Sequence, residues 1–270
     1  MLTKKIGFIG GGNMAKAIIG GLVKSGKVTP SDIFIYDRKA ETNQAMAEQY
    51  GIHAAESADA LAREVDILFG AVKPNVILKV LKELSGSLKK EAMVVSIAAG
   101  VTLDSLSSVL GYDRKIVRAM PNTPSLVSQG MTSVTPNVLV EQAEIDEVVA
   151  IFESFGKAAV VDEYLIHAVV GVSGSAPAYV FMFIEAMADA AVSGGMPRAQ
   201  AYQFAAQAVK GAAEMVLTTG RHPAELKDMV CSPGGTTIEA VRVLEQKGMR
   251  SAVIEAMQHC MAKSEALSRS

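Results

Sequence analysis

The chain has 270 residues; half are hydrophobic, a fifth are charged, 23 are glycine, and the formal net charge is −2. At roughly 150 residues per domain this is a little under two domains, with too much apolar material for a disordered chain. A net charge so close to neutral excludes a dedicated nucleic-acid binder, which needs a basic surplus.

The chain opens with Lys4 and Lys5 ahead of Ile6, Phe8 and Ile9, but Gly7 breaks the run and Gly10-Gly11-Gly12 ends it. That reads as a buried strand entering a turn rather than a leader. Strands are expected at Ile6–Ile9, Ile33–Tyr36, Val65–Val72, Met93–Ala98, Lys115–Ala119 and Ala158–Val161, with helices between them starting near Asn13, Ala40, Pro74, Thr102 and Glu141. Near-continuous Ile/Val/Leu strands alternating with helices specify an α/β domain whose mostly parallel sheet is covered on both faces. It spans 1–162.

From 163 to 270 the strand pattern stops. Helices are expected at Ala176–Val192, Arg198–Thr219, Pro223–Val230, Thr237–Lys247 and Met249–Ser268, punctuated by Gly194-Gly195, Gly220 and Gly248. Ala176–Val192 is almost wholly apolar, yet it carries Glu185 and Asp189 and is shorter than the ~20 residues a bilayer requires. It reads as a helix buried in protein, and it is apolar enough to imply a subunit interface rather than a membrane span. Glu185 and Asp189 sit four apart on one face and read as a polar stripe without a catalytic role. Cys231 and Cys260 cannot form a disulfide framework and read as reduced thiols in the cytoplasm. The four histidines have no metal-ligand spacing, so no metal site is expected.

Two glycine clusters carry the chemistry. Gly10-Gly11-Gly12-Asn13-Met14-Ala15 is a Gly-x-Gly-x-x-Ala motif between a strand and a helix. In that context Gly10 permits the tight turn, Gly12 lets a pyrophosphate approach the backbone, and Ala15 lets helix pack on strand. The phosphates then lie on free N–H groups at the helix N-terminus. The second strand ends in Asp37-Arg38-Lys39. An acid there suits the ribose hydroxyl of NAD, whereas bases suit the 2′-phosphate of NADP, so both cofactors stay open. Val72-Lys73-Pro74, Ala98-Ala99-Gly100 and Met120-Pro121-Asn122-Thr123-Pro124 lie at other strand ends on the same rim, Pro74 being the first residue of a helix.

In the helical half, Cys231-Ser232-Pro233-Gly234-Gly235-Thr236-Thr237-Ile238-Glu239 is the most informative segment. Thr236-x-x-Glu239 has the form of a capping box, which makes Thr236 the N-cap and leaves the Thr237 hydroxyl uncommitted at the first helical position. The irregular segment before it presents backbone N–H groups suited to a carboxylate. Gly171 to Pro177 forms a similar loop, read as close approach between elements, and His167 reads as structural.

Taken in order, these segments resemble the pyrroline-5-carboxylate reductase family of proline biosynthesis. The matching motifs are Gly7 to Met14, Ala71 to Pro74, Ala98 to Thr102, Met120 to Pro124, Gly171 to Tyr179 and, most specifically, Leu226 to Thr237. The resemblance runs from end to end. It implies a Rossmann-like N-terminal domain, an all-α C-terminal dimerisation domain, and a homodimer assembled into a larger homo-oligomer. It also implies reduction of a small cyclic imine, 1-pyrroline-5-carboxylate, to L-proline. By motif, cofactor contacts fall on Ile9, Gly10, Gly11, Gly12, Asn13, Met14, Val72, Lys73 and Ala98. Substrate contacts fall on Ser232, Gly234, Gly235, Thr236 and Thr237, with Thr237 at the ring nitrogen. The family preference is NADPH; Asp37 departs from a strict NADP site, which leaves NADH open.

A β-hydroxyacid dehydrogenase shares this domain plan but places a catalytic lysine where this chain has Val180. Valine cannot act as the base that alcohol oxidation needs. A nucleotide-sensing protein without turnover would have no use for the second glycine cluster.

Overall fold

The computed structural model describes residues 2–268; Met1, Arg269 and Ser270, at the outer ends of the two expected domains, lie outside the described residues. By their internal contacts the described residues form two units. One runs up to Gly174 and also takes in the residues from Met261 onward, and the other is Ser175–Cys260.

In chain order the first unit contains β1 (Ile6–Ile9), α1 (Asn13–Ser25), β2 (Ile33–Tyr36), α2 (Ala40–Tyr50), β3 (His53–Ala54), α3 (Ala58–Glu64) and β4 (Ile67–Gly70). It continues with α4 (Pro74–Leu84), β5 (Met93–Ser96), α5 (Leu103–Leu110), β6 (Ile116–Met120), β7 (Gly130–Pro136), α6 (Gln142–Phe152), β8 (Gly156–Val160) and the short α7 (Ile166–Val169). The eight strands make one sheet in the order β3-β2-β1-β4-β5-β6-β7-β8. Every neighbouring pair is parallel except β6 and β7. Strand order reverses between β1 and β4, whose registers run Ile6 against Ile67 and Ile9 against Gly70. In open α/β sheets that reversal opens a crevice at the carboxyl ends of the strands.

Burial explains why the strands form where they do. Ile6, Phe8, Ile33, Ile35, Ile67 and Phe69 are fully buried. Phe8 stacks on Phe69 at 4.8 Å between ring centroids, and Phe69 meets Phe152 of α6 edge-on at 5.9 Å. A second cluster, around Leu61, Leu68, Ile77, Leu81, Val94 and Leu106, fills the other face. Buried Arg118 of β6 is neutralised by Glu163, 2.9 Å away, whose same oxygen accepts the Leu103 N–H.

Three elements go beyond the sequence expectation. β3 has two residues, α3 has seven, and β7 is rich in Thr and Ser rather than Ile and Val. Thr132, Ser133 and Thr135 of β7 are buried. The Thr135 hydroxyl donates to the Val161 carbonyl, whereas the buried Thr132 and Ser133 hydroxyls have no partner among the described residues.

The second unit holds α8 (Ala176–Ser193), α9 (Arg198–Thr219), α10 (Pro223–Val230), α11 (Thr236–Gln246) and the start of α12 (Met249–Ser268). The length expected of the helical run around Ala176–Val192 is corrected. The turns before it are themselves helical, including a π-turn at Val170–Gly174. They extend the run to Glu163–Ser193, 31 residues, long and apolar enough to cross a membrane by length and composition. Within the chain α8 is not covered: Ala188 is its buried residue, while Phe181 and Met182 are 61% and 69% exposed.

Candidate functional site

The crevice between β1 and β4 is built by their first loops. Gly10 has φ +101, and a Cβ there would lie 2.7 Å from the Ala71 carbonyl oxygen and 3.0 Å from Val72 Cγ1. Only glycine lets the two loops touch in this way. The Gly10 N–H continues the sheet by donating to Tyr36 O, and Ala71 N–H does the same to Ile9 O. Gly12 is the N-cap of α1, and a Cβ on it would meet nothing within 4 Å. Asn13 and Met14 open the helix, where N–H groups have no partner one turn back. Ala15 is fully buried. A backbone cradle open at Gly12, with free N–H groups and the positive end of a helix dipole, fits a dinucleotide pyrophosphate.

Asp37 does not face outward. Its Oδ2 accepts the Gly11 N–H at 2.8 Å and its Oδ1 accepts the Lys39 N–H at 3.0 Å. Asn43 brackets the same residue, accepting the Asp37 N–H at 2.6 Å and donating to its carbonyl at 2.8 Å. Arg38 and Lys39 are exposed and have no side-chain partner among the described residues.

The other strand-end residues lie on the same edge of the sheet. Lys73 is the N-cap of α4 and Pro74 its first residue, both exposed, with Val72 half-buried against the first glycine loop. Ala98 follows β5 and is buried at 4% exposure, and Gly100 turns the chain with φ +78. After β6, Asn122 is a crosslink the sequence alone did not reveal. It accepts the Met131 N–H at 2.9 Å and donates to the Ser173 carbonyl at 3.1 Å, tying the Pro121–Pro124 loop to the π-turn. π-turns are frequent at functional sites.

In the second unit, Ser232 to Gly235 form a tight turn closed by Gly235 N–H on Ser232 O at 3.1 Å, with Gly234 at φ +66. Proline then glycine at the central positions is the pattern such a turn demands. The capping reading of Thr236 is corrected here. Gly235 is the N-cap, in extended conformation, and no side chain caps the helix. Thr236 is already helical, and Glu239 pairs with Arg242 instead of reaching back. The turn delivers the chain to α11 one residue earlier than the motif suggests. Thr237 is therefore the second helical residue, half-buried, and its hydroxyl has no partner among the described residues. Asp189 pairs with Arg198, consistent with a structural stripe. His167 Nδ1 is 3.0 Å from Ser264 Oγ, a partner far away in sequence.

A glycine cradle at the switch point of a parallel sheet, joined to a helical unit, defines the class of two-domain nicotinamide-dependent oxidoreductases. Residues 163–267 match the model for pyrroline-5-carboxylate reductase dimerisation, and residues 5–100 match a model described as NADP oxidoreductase coenzyme F420-dependent. A pyrroline-5-carboxylate reductase of Escherichia coli (strain K12) is 66% identical over 269 residues, covering 100% of each chain. Among solved structures, a pyrroline-5-carboxylate reductase from Coxiella burnetii superposes with TM-score 0.94 at 36% identity, again covering 100% of each chain. The Plasmodium falciparum pyrroline carboxylate reductase with NADP bound gives TM-score 0.87 at 31% identity, with 99% of each chain covered. The chain belongs to the pyrroline-5-carboxylate reductase family.

Proposed function

We propose that this reductase divides its labour between two domains. Residues 1–162 hold NADPH, and residues 163–270 hold 1-pyrroline-5-carboxylate, whose cyclic imine is reduced to L-proline. The full-length match to named pyrroline-5-carboxylate reductases supports the reaction. The observation that carries the residue roles is the Ser232–Gly235 turn, which presents an uncapped helix N-terminus beside a Thr237 hydroxyl that has no partner among the described residues.

Bound NADPH supplies the hydride for the imine carbon. Gly10, Gly11, Gly12, Asn13 and Met14 cradle its pyrophosphate. Ile9, Val72, Lys73, Pro74 and Ala98 line the rim around it, and the Asp37-Arg38 segment borders its adenosine. The backbone of Gly235 and Thr236 at the start of α11 holds the substrate carboxylate, with Ser232 and Gly234 shaping the turn beneath. A protonated imine is already electrophilic, so positioning contributes more than a strong acid does. The Thr237 hydroxyl donates to the ring nitrogen as it gains a lone pair. Catalysis on this account asks the chain mainly for geometry.

The apolar faces of α8 are covered by a second copy of the chain, a reading supported by the dimerisation model across 163–267. Dimers then assemble into a larger homo-oligomer. Two free cysteines, Cys231 and Cys260, suit a cytoplasmic enzyme.

The test is to mix the protein with NADPH and 1-pyrroline-5-carboxylate, follow nicotinamide absorbance and assay for proline. Stoichiometric proline is expected. Oxidation of NADPH without proline, or no turnover, would overturn the reading.

A further inference from the structure

The loop after β5, residues 97–102, carries Ala98 on the cofactor rim and leads into α5. The adenosine end of a dinucleotide lies at β2, across the reversal of strand order, so this loop serves the nicotinamide end. We infer that Glu163 is a positioning residue for this loop. Its carboxylate, anchored by the buried Arg118, fixes the far end of the loop and thereby seats Ala98 and its neighbours against the nicotinamide half of the cofactor. This rests on the dinucleotide site proposed above.

The loop is held at both ends and small in the middle. At its start the Ile97 N–H donates to Gly70 O of β4 at 3.3 Å, and the Ala98 N–H donates to Ser96 Oγ at 3.4 Å. Gly100 turns the chain with φ +78, and a Cβ there would meet nothing within 4 Å. At its end the first N–H of α5, on Leu103, donates to Glu163 Oε1 at 2.8 Å. The Thr102 hydroxyl accepts the Ser105 N–H at 3.1 Å. Two side chains thus share the unsatisfied N–H groups of that helix start, and the positive end of the helix dipole favours the carboxylate.

Glu163 is held in turn by a row of polar side chains inside the sheet. Ser96, Arg118 and Thr135 are register neighbours on β5, β6 and β7, all buried, and their side chains leave the same face. Ser96 takes the Ala98 N–H, and Thr135 donates to the Val161 carbonyl, two residues before Glu163. Between them Arg118 Nη1 donates to Glu163 Oε1 at 2.9 Å, a charge-assisted bond roughly twice as strong as a neutral one. With its side chain only 4% exposed, this guanidinium has to keep its counter-charge. Arg118 therefore fixes the carboxylate, and the carboxylate fixes Leu103. Glu163 opens the stretch that matches the dimerisation model, yet by its contacts it belongs with the sheet.

The test is steady-state kinetics with NADPH and 1-pyrroline-5-carboxylate beside calorimetric binding of NADPH and of 2′-phospho-ADP-ribose, which lacks the nicotinamide. Glu163→Ala removes the acceptor but strands a buried guanidinium. Arg118→Met/Glu163→Met, which replaces the pair by apolar side chains, is therefore measured with it. In both variants NADPH should bind about fivefold or more weakly, while the fragment changes about twofold or less. The kcat should fall about tenfold or more, with KM for the imine within about threefold. A pair with a merely structural role would lower the urea midpoint and leave those constants as in wild type. Equal weakening of NADPH and the fragment, or unchanged NADPH affinity and kcat in the double variant, would overturn the inference. A wild type that binds neither NADPH nor the fragment would instead overturn the cofactor site itself, and the inference with it.

Discussion

A methyl group on Gly10 would stand 2.7 Å from the carbonyl oxygen of Ala71, so the loops after β1 and β4 meet through backbone alone. Gly12, two residues on, faces open space. One glycine is thus required by the fold, whereas the other is free for a ligand. Gly10→Ala should lower stability as well as cofactor affinity, since it adds a clash to a strained φ. Gly12→Ala should cost about 1 kcal/mol or less of stability, the scale of an altered N-cap, yet weaken NADPH binding about tenfold or more. Urea denaturation beside calorimetric binding separates the two. Equal losses in both quantities for both variants would contradict the assignment.

Phe181 and Met182 stand exposed on α8 in a region that matches a dimerisation model. A second copy that covers them removes large apolar side chains from water, which is how obligate dimers are held. Phe181→Glu would place a charge in that interface. Sedimentation should show wild type as a dimer or larger and the variant shifted toward monomer, with a lower melting temperature. A wild type that sediments as a monomer would refute the interface.

Acid stability should depend on carboxylates near the amino ends of the strands, away from the strand-end loops of the site. Burial disfavours the charged form of Glu144, but the hydrogen bond from Lys115, the Glu141 N–H and the charges of Lys115 and Lys4 outweigh it. Its carboxyl is held below the ordinary value of 4.5. Asp66 is held below its ordinary 3.8 in the same way, burial being outweighed by Lys89 and by the N–H and charge of Lys5. A lowered folded pKa contributes stability that is fully present above the unfolded value and lost as pH falls through the folded one. The urea midpoint should therefore drop as pH falls below the ordinary carboxylate range. Glu144→Gln keeps a cap acceptor but removes the titration, so its midpoint should fall less steeply across that window. Parallel acid limbs for variant and wild type would contradict the assignment.

The parts of the fold with strong local signals were legible from sequence. β1, β2, α9, α10 and α12 fall at the expected residues, each with a glycine or proline at or near one of its ends. β7 was not legible, since its buried Thr and Ser take their burial from neighbouring strands and not from any apolar pattern of their own. Thr236 and Glu239 have the spacing of a capping box, yet a turn fixed by Pro233 and Gly234 moves the helix start, and backbone geometry prevails over side-chain pattern. Asp37 was ambiguous for a related reason: one-dimensional pattern places an acid at a strand end but says nothing of which way its carboxylate turns. The exposure of α8 depends on a partner surface that one chain does not contain.

The central claim is that the helix start at Thr236 and Thr237 positions the substrate for hydride transfer. It is tested most directly by Thr237→Ala, with kcat for 1-pyrroline-5-carboxylate reduction measured beside the Kd for NADPH. The account predicts a kcat lowered roughly 10²-fold or more, as for loss of one donor to a developing charge or lone pair, and a Kd changed by about twofold or less. An unimpaired kcat would contradict it.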